Sequence, residues 1–273
     1  MPMIWVAGLH RSGTSLLQFL VGALPGHVAL GEISTLIASP QMIARAGDSF
    51  CSCGTSIAEC SFWGELLPRL NGDGDYAPVL EHFEKYYPGQ VPVDSSKDVA
   101  VLRQVPDVRV LFCVRDVREW SVSEGRQSVR GFLSWYRRNR ELLAKVRDRD
   151  RLIVGYPELA LRTEESFRRV AEFLGISDPP DCRNFGRAEH HAVHTAMKNQ
   201  PEKMKGVLYD YRWYRETKWV VPWTLLPFVK KFNNDVVYGN LHTDLFVSTP
   251  YRKTESKEWR MSTSRRRDLS SAL

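Results

Sequence analysis

Eight residues near the amino terminus, Gly8-Leu9-His10-Arg11-Ser12-Gly13-Thr14-Ser15, fit the phosphate-loop pattern G-x-x-x-x-G-K-[ST] at every fixed position but one. Thr14 stands where the lysine belongs. In such a loop, successive backbone N–H groups and the following helix N-terminus form an anion site. Ser12, Thr14 and Ser15 add hydroxyl donors, and Arg11 adds a planar cation that grips an oxyanion through paired hydrogen bonds. The lysine of a nucleoside triphosphatase neutralises a magnesium-bound triphosphate, so its absence suits a less charged group. A second pair is spaced for phosphate as well. Arg115 follows directly on the apolar run "VRVLFCV", and Ser123 lies eight residues later, two turns down the next helix. The plainer readings are a glycine turn that packs strand on helix, and an arginine paired with its neighbour Asp116.

These residues need elements that bring them together. "MIWVAG" is a short apolar run ending at glycine, as in a parallel strand buried on both faces. Residues 14–24 read as a helix stopped by Pro25-Gly26. Further strands are expected at 90–94, 108–114 and 151–156. Residues 116–147 read as one long, basic, amphipathic helix burying Trp120, Phe132, Trp135, Leu142 and Leu143. A helix over 163–174 carries a Thr-x-x-Ser start and a Gly175 stop. Strands alternating with helices indicate an α/β fold, a P-loop-like doubly wound parallel sheet flanked by helices. Residues 1–250 are expected to form one domain, with 48–75 an irregular insertion and 176–250 a helical C-terminal cap that lines the acceptor region.

The chain has 273 residues, 43% of them hydrophobic, enough for one sizeable core. No segment has the roughly 18 consecutive apolar residues that span a bilayer. "MPMIWVAGL" has no basic n-region and runs straight into the glycine-rich loop, so a cytoplasmic protein is expected. Residues 249–273 hold seven Lys/Arg and three acids, a net +4 of the formal +6. This basic stretch rich in Ser and Thr reads as a flexible, solvated tail over 251–273, and no nucleic-acid-binding signature accompanies it. Of the five cysteines, Cys51, Cys53 and Cys60 share the segment "CSCGTSIAEC". The spacing C-x-C-x6-C offers three metal ligands where zinc takes four. The segment therefore reads as a structural loop with free thiols, and no metal site is assigned.

Taken in order, these elements resemble the sulfotransferases that use 3′-phosphoadenosine 5′-phosphosulfate. "HRSGTSLL" is similar to the family's 5′-phosphosulfate loop, P-R-S-G-T-[ST], and "RDVREWSVS" to its 3′-phosphate motif, R-[DN]-P-R-x4-S. "VDSSK" (93–97), "GYPEL" (155–159), "VAEFLGI" (170–176) and the cysteine segment extend the likeness through residues 4–176. The resemblance implies that Arg11, Ser12, Gly13, Thr14 and Ser15 hold the 5′-phosphosulfate and that Arg115 and Ser123 hold the 3′-phosphate. It puts Tyr156 near the nucleotide. His10, Val117 and Pro157 depart from the family's usual proline, proline and acid.

Phosphosulfate has no γ-phosphate and needs no bridging magnesium, so no metal is required. The developing charge on its bridging oxygen still needs stabilising. Arg11 and the loop amides supply part of that, and Lys97 of "DSSK" can supply more, unless it is a buried partner of Asp94. An acceptor hydroxyl or amine needs a base. Glu32 of "LGEIS" is the first choice, placed near a second strand's carboxyl end, and His10 inside the loop is its competitor. His27, His190, His191 and His194 are further candidates, and Lys198 and Asn199 are weaker nucleotide contacts. The expected reaction moves a sulfuryl group to a small-molecule or carbohydrate acceptor. The rivals are a nucleotide-dependent kinase, with Asp94 or Asp116 holding a metal, and a non-catalytic nucleotide-binding protein.

Overall fold

Met3, Trp5 and Ala7 pack into one hydrophobic core, Ile4 and Val6 into another, and all five are buried. A strand buried on both faces demands a layer above and a layer below it. The computed structural model, which describes residues 1–47, 49–194 and 205–239, supplies both. Among the described residues, five parallel strands form one sheet. They are β1 Met3–Ala7, β2 His27–Gly31, β3 Val91–Asp94, β4 Val108–Val114 and β5 Arg151–Gly155, in the order β2-β3-β1-β4-β5. β4 alternates as β1 does, with Val110, Phe112 and Val114 in one core and Leu111 and Cys113 in the other.

Helices close each face. Leu17 and Leu20 of the helix Thr14–Gly22 and Phe167 and Val170 of the helix Thr163–Leu174 cover one side. Phe83, Trp135 and Val229, from the helices Ala77–Tyr86, Val129–Lys145 and Pro227–Val237, cover the other. This is the doubly wound arrangement expected from the sequence, with short helices near the carboxyl end of the described chain. Buried indole N–H groups need acceptors, and two of them steady the loops at the sheet edge. Trp5 Nε1 donates to the Ser96 carbonyl at 2.8 Å, and Trp120 Nε1 to the His10 carbonyl at 2.9 Å.

The expected single helix over 116–147 is two helices, Val117–Ser123 and Val129–Lys145. Gly125 breaks it in a left-handed conformation (φ 68°), and Ser128 restarts it by accepting the Gly131 amide at 3.1 Å. The amphipathic period continues on both sides of the break, which hid it. The first-turn residue Thr163 does not cap its helix; Arg162 holds the N-cap position without a side-chain bond, whereas Gly175 ends the helix in the left-handed conformation expected of it. β2 was not among the strand segments named from the sequence, although a second strand was expected to end near Glu32, where β2 does end. Among the described residues of 48–75, only a short helix, Trp63–Leu66, and a turn of 3-10 helix, Leu67–Arg69, are regular. No helix among the described residues is long and apolar enough to cross a membrane. The basic stretch 251–273, Lys198 and Asn199 lie outside the described residues.

A sixth extended segment docks on β2. The His191 and Val193 amides donate to the Ala29 and Leu30 carbonyls at 2.9 and 3.0 Å, and the Glu32 amide returns to the Val193 carbonyl at 3.1 Å. Gly31 makes this fit: its φ is 88°, and a Cβ there would lie 2.1 Å from the Val193 oxygen. Gly31→Ala combines a left-handed strain of about 1–3 kcal/mol with a backbone clash. It should lower the thermal midpoint by about 5 °C or more in a calorimetric melt, and an unchanged midpoint would show that the docked segment contributes nothing.

Candidate active site

In an open parallel sheet, ligands gather beyond the carboxyl ends of the strands, where neighbouring strands send their chains to opposite faces. That point lies between β1 and β3. The helix after β1 packs in one core, and Val101 of the helix Val101–Gln104 after β3 packs in the other. The phosphate loop leaves β1 there. Gly13 has φ 96°, and a Cβ on it would stand 2.5 Å from Tyr156 Cδ2, so only glycine lets the loop pass beneath that ring. Gly13 also begins the helix Thr14–Gly22 without capping its first amides, which are left to accept an anion. Ser12 is fully buried, and its Oγ has no hydrogen-bond partner among the described residues. Open amides and an orphaned buried hydroxyl fit an oxyanion. Arg11 is exposed beside them with φ 63°, and His10 is exposed as well.

The cation missing from position 14 arrives from β3. Lys97 Nζ donates to Thr14 Oγ1 at 2.9 Å and to the Ser95 carbonyl at 2.5 Å, and pairs with Glu32 Oε1 at 3.2 Å. Glu32 directly follows β2, at the N-cap of the helix Ile33–Ile37. Asp94, the alternative partner for Lys97, is occupied elsewhere. It accepts the Tyr76 hydroxyl at 2.9 Å, the Ser96 hydroxyl at 2.6 Å and the Ser96 amide at 2.9 Å, and burial pushes its carboxyl above the usual range.

Arg115 stands at the end of β4 with its face 4.4 Å from the Tyr156 ring. It donates from Nε to Glu119 Oε2 at 3.1 Å, from Nη1 to the Arg11 carbonyl at 3.1 Å and from Nη2 to Asp210 Oδ2 at 2.8 Å. It is therefore not the partner of Asp116, which binds Arg118 Nη2 and the Tyr238 hydroxyl, each at 2.8 Å, deep in the core. Ser123 is half-buried at the last turn of the helix Val117–Ser123. Tyr156 opens the helix Tyr156–Leu161 after β5, and Pro157 suits its first turn, where no amide partner is needed. Burial pushes the Tyr156 phenol up to about 12.

A cleft of about 890 Å³ is walled by Arg11, Gly13, Thr14 and Ser15 of the loop and by Arg115, Ser123 and Tyr156. His10, Glu32 and Lys97 line it too, so the donor-binding and first-choice catalytic residues expected from the sequence all reach it except Ser12, which is buried within the loop. A second cleft, of about 660 Å³, shares His10, Glu32 and Lys97 with the first and continues along Thr35, Arg138 and Glu141. The other histidines differ. His194 lines the larger cleft, while His190 is buried against the Phe185 carbonyl at 2.8 Å and His27 bonds the Pro25 carbonyl at 2.9 Å.

Sequence reasoning missed Glu119, Tyr209 and Asp210. Glu119 was within reach, since it lies four residues after Arg115, in the first turn of the helix that follows β4. Tyr209 and Asp210 come from 94 and 95 residues away from Arg115 and carry no local pattern. Tyr209 stacks on Tyr156 with centroids 5.9 Å apart and donates its hydroxyl to Glu119. Asp210 is held well below the usual carboxylate range by Arg212 and Arg115, so it stays ionised.

The sulfotransferase domain of the Synechococcus PCC 7002 olefin synthase superposes with a TM-score of 0.51 at 15% identity, over 80% of this chain and 83% of that one. The sulfotransferase domain from the curacin biosynthetic pathway gives 0.52 at 12% identity, over 83% and 98%. The fold is that of sulfotransferase domains. In sequence, protein-tyrosine sulfotransferase 2 of Gallus gallus is 24% identical over 193 residues, 65% of this chain. The chain spans about half the length of that curated relative, 52%. No protein-family profile matches it. In this sulfotransferase-type fold, neither Asp94 nor Asp116 lines either cleft, so neither is set to hold the metal that a kinase would need.

Complete burial, opposed by Arg115, raises Glu119 from 4.5 to about 7. The folded chain thus holds a proton that the unfolded chain releases. This contribution to stability is full below about pH 4.5 and fades as pH rises through about 7. Glutamine carries no charge to bury, so from about pH 5 to 8 the melting temperature of Glu119→Gln should gain steadily on that of the wild-type chain. A gap independent of pH would place the proton elsewhere.

Proposed function

We propose that the chain is a sulfotransferase moving a sulfuryl group from 3′-phosphoadenosine 5′-phosphosulfate to a hydroxyl or amine of a polar small-molecule acceptor. The observation that carries this reading is the meeting of two clefts at Glu32, Lys97 and His10, with a phosphate loop along one of them. The larger cleft is of a size for a nucleotide. In it the loop amides, Ser12, Thr14 and Ser15 would take the 5′-phosphosulfate, and Arg115 with Ser123 the 3′-phosphate. That phosphate would compete with Asp210 for the guanidinium. The smaller cleft would admit the acceptor. Its mixed charges, including Lys97, Arg138 and Lys145 against Glu32, Asp98 and Glu141, suit a polar molecule better than a hydrocarbon.

In this reading Glu32 accepts the proton of the acceptor hydroxyl as its oxygen bonds to sulfur. The bond from sulfur to the phosphate oxygen breaks in line, and its electron pair leaves on 3′,5′-adenosine bisphosphate. Lys97 and Arg11 stabilise the charge on that departing oxygen. Lys97 touches both the base and the loop, so it orients Glu32 while facing the leaving group. His10 lines both clefts and is the competing base. The named activity of the curated relative adds a tyrosine hydroxyl to the acceptors worth testing.

Donor-dependent transfer of labelled sulfate to a panel of phenols, sugars, amines and a tyrosine peptide tests the proposal. The 3′-phosphorylated donor should be preferred, and equal use of a donor lacking that phosphate would remove Arg115 and Ser123 from the site. Arg11→Ala should nearly abolish transfer. Glu32→Gln should cut kcat by about 10²–10⁴-fold with binding of 3′,5′-adenosine bisphosphate little changed; an unchanged kcat would hand the role to His10. Magnesium-dependent ATP turnover without sulfate transfer would favour the kinase.

A further inference from the structure

The cysteine segment gains a fourth member in three dimensions. One ligand atom each from Cys51, Cys53, Cys60 and His191 lies within 4.8 Å of all the others. The histidine comes from 131 residues beyond Cys60, and its Nδ1 stands 3.1 Å from Cys60 Sγ. From these four residues we infer a structural zinc site of the Cys3His type, separate from the catalytic clefts.

The chemistry of the set selects the metal. Thiolate and imidazole are the ligands of structural zinc, and four of them close its tetrahedron without leaving a position for water. Bonds of about 2.3 Å to sulfur and 2.0–2.1 Å to nitrogen put tetrahedral ligand atoms about 3.5–3.8 Å apart, a spacing reached here by small side-chain rotations. The three thiols would release their protons on binding, leaving three thiolates and a neutral imidazole around the dication.

The surroundings agree. A zinc-bound histidine normally donates its other ring N–H to an acceptor that fixes its orientation. His191 Nε2 lies 3.1 Å from Glu189 Oε1 and 2.6 Å from the Tyr87 hydroxyl, which itself donates to Glu189 at 2.6 Å. Phe62 stacks on the ring, with centroids 5.5 Å apart. Gly54, at φ 98°, turns the loop between the ligand pairs. Cys51, Cys60 and His191 are buried, while Cys53 is exposed and gives the ion a way in.

The ion would act as a staple. Ser52 Oγ accepts the Ala192 amide at 2.7 Å and donates to the His190 carbonyl at 3.0 Å, so loop and docked segment are already in register. A zinc bound there would fasten 51–60 to the segment that pairs with β2, next to Glu32. The remaining cysteines, Cys113 and Cys182, are buried elsewhere and form the natural controls.

The test is metal analysis of the untagged full chain, purified without chelator and passed through gel filtration. Close to one zinc per chain is expected, and replacement by Co(II) should give the visible spectrum of a tetrahedral thiolate site. Cys60→Ser and His191→Ala should lose the metal, Cys182→Ser and His191→Cys should keep it, and Glu189→Gln should weaken it about 10–100-fold. Chelation should lower the melting temperature of the wild-type chain without touching Cys182→Ser differently. Should Cys60→Ser fail to fold, the wild-type zinc content and the Co(II) spectrum decide. A wild-type chain that carries no zinc and retains neither Zn(II) nor Co(II) after addition overturns the proposal, as does equal retention by a folded Cys60→Ser.

Discussion

One ammonium joins the ends of three parallel strands. Lys97, just past β3, reaches Glu32 beyond β2 and Thr14 in the loop after β1. Both charged side chains are mostly buried, at 16% and 15% exposure, so neither is well solvated without the other. Because Lys97 donates to Thr14 Oγ1, the threonine uses a lone pair on the lysine and its own hydrogen is not spent in that bond. The parallel sheet makes this possible. All five strands point the same way, so every carboxyl end opens on one edge and residues distant in sequence meet there.

The second cation is arranged differently. Arg115 is divided among a buried carboxylate, a loop carbonyl and Asp210, with its face on Tyr156. Glu119 is fully buried and fixed, whereas Asp210 is 22% exposed and shares its oxygens with Arg212. The Asp210 side is therefore the more accessible edge of the guanidinium. The neighbouring acid Asp116 is spent on holding Arg118, Asn233 and Tyr238, a network that ties the last described helix to the sheet edge.

Local signals were legible where a pattern repeats over a few residues. The loop, the apolar runs of β1 and β4 and the Gly175 stop could be read directly. The break at Gly125 could not, because the apolar period resumes after it and one glycine is weak punctuation. Glu32 was correctly placed at a strand end, yet its partner was not visible, since ion pairs between strand ends leave no spacing in the chain. The cysteine segment was read as a structural loop with free thiols for the same reason: its fourth companion, His191, is far along the sequence.

The amino-acid sequence by itself determined the two-faced strands, the glycine loop and the inventory of cations and hydroxyls, because these follow from side-chain period and backbone freedom within a few residues. Tertiary structure alone decided which groups meet. The lysine absent from the loop is supplied in space by Lys97, Arg115 is shared with Asp210, and His191 closes on the cysteines. Each depends on strand order and on the docking of distant segments, and such contacts are set by packing of the whole sheet rather than by any local spacing.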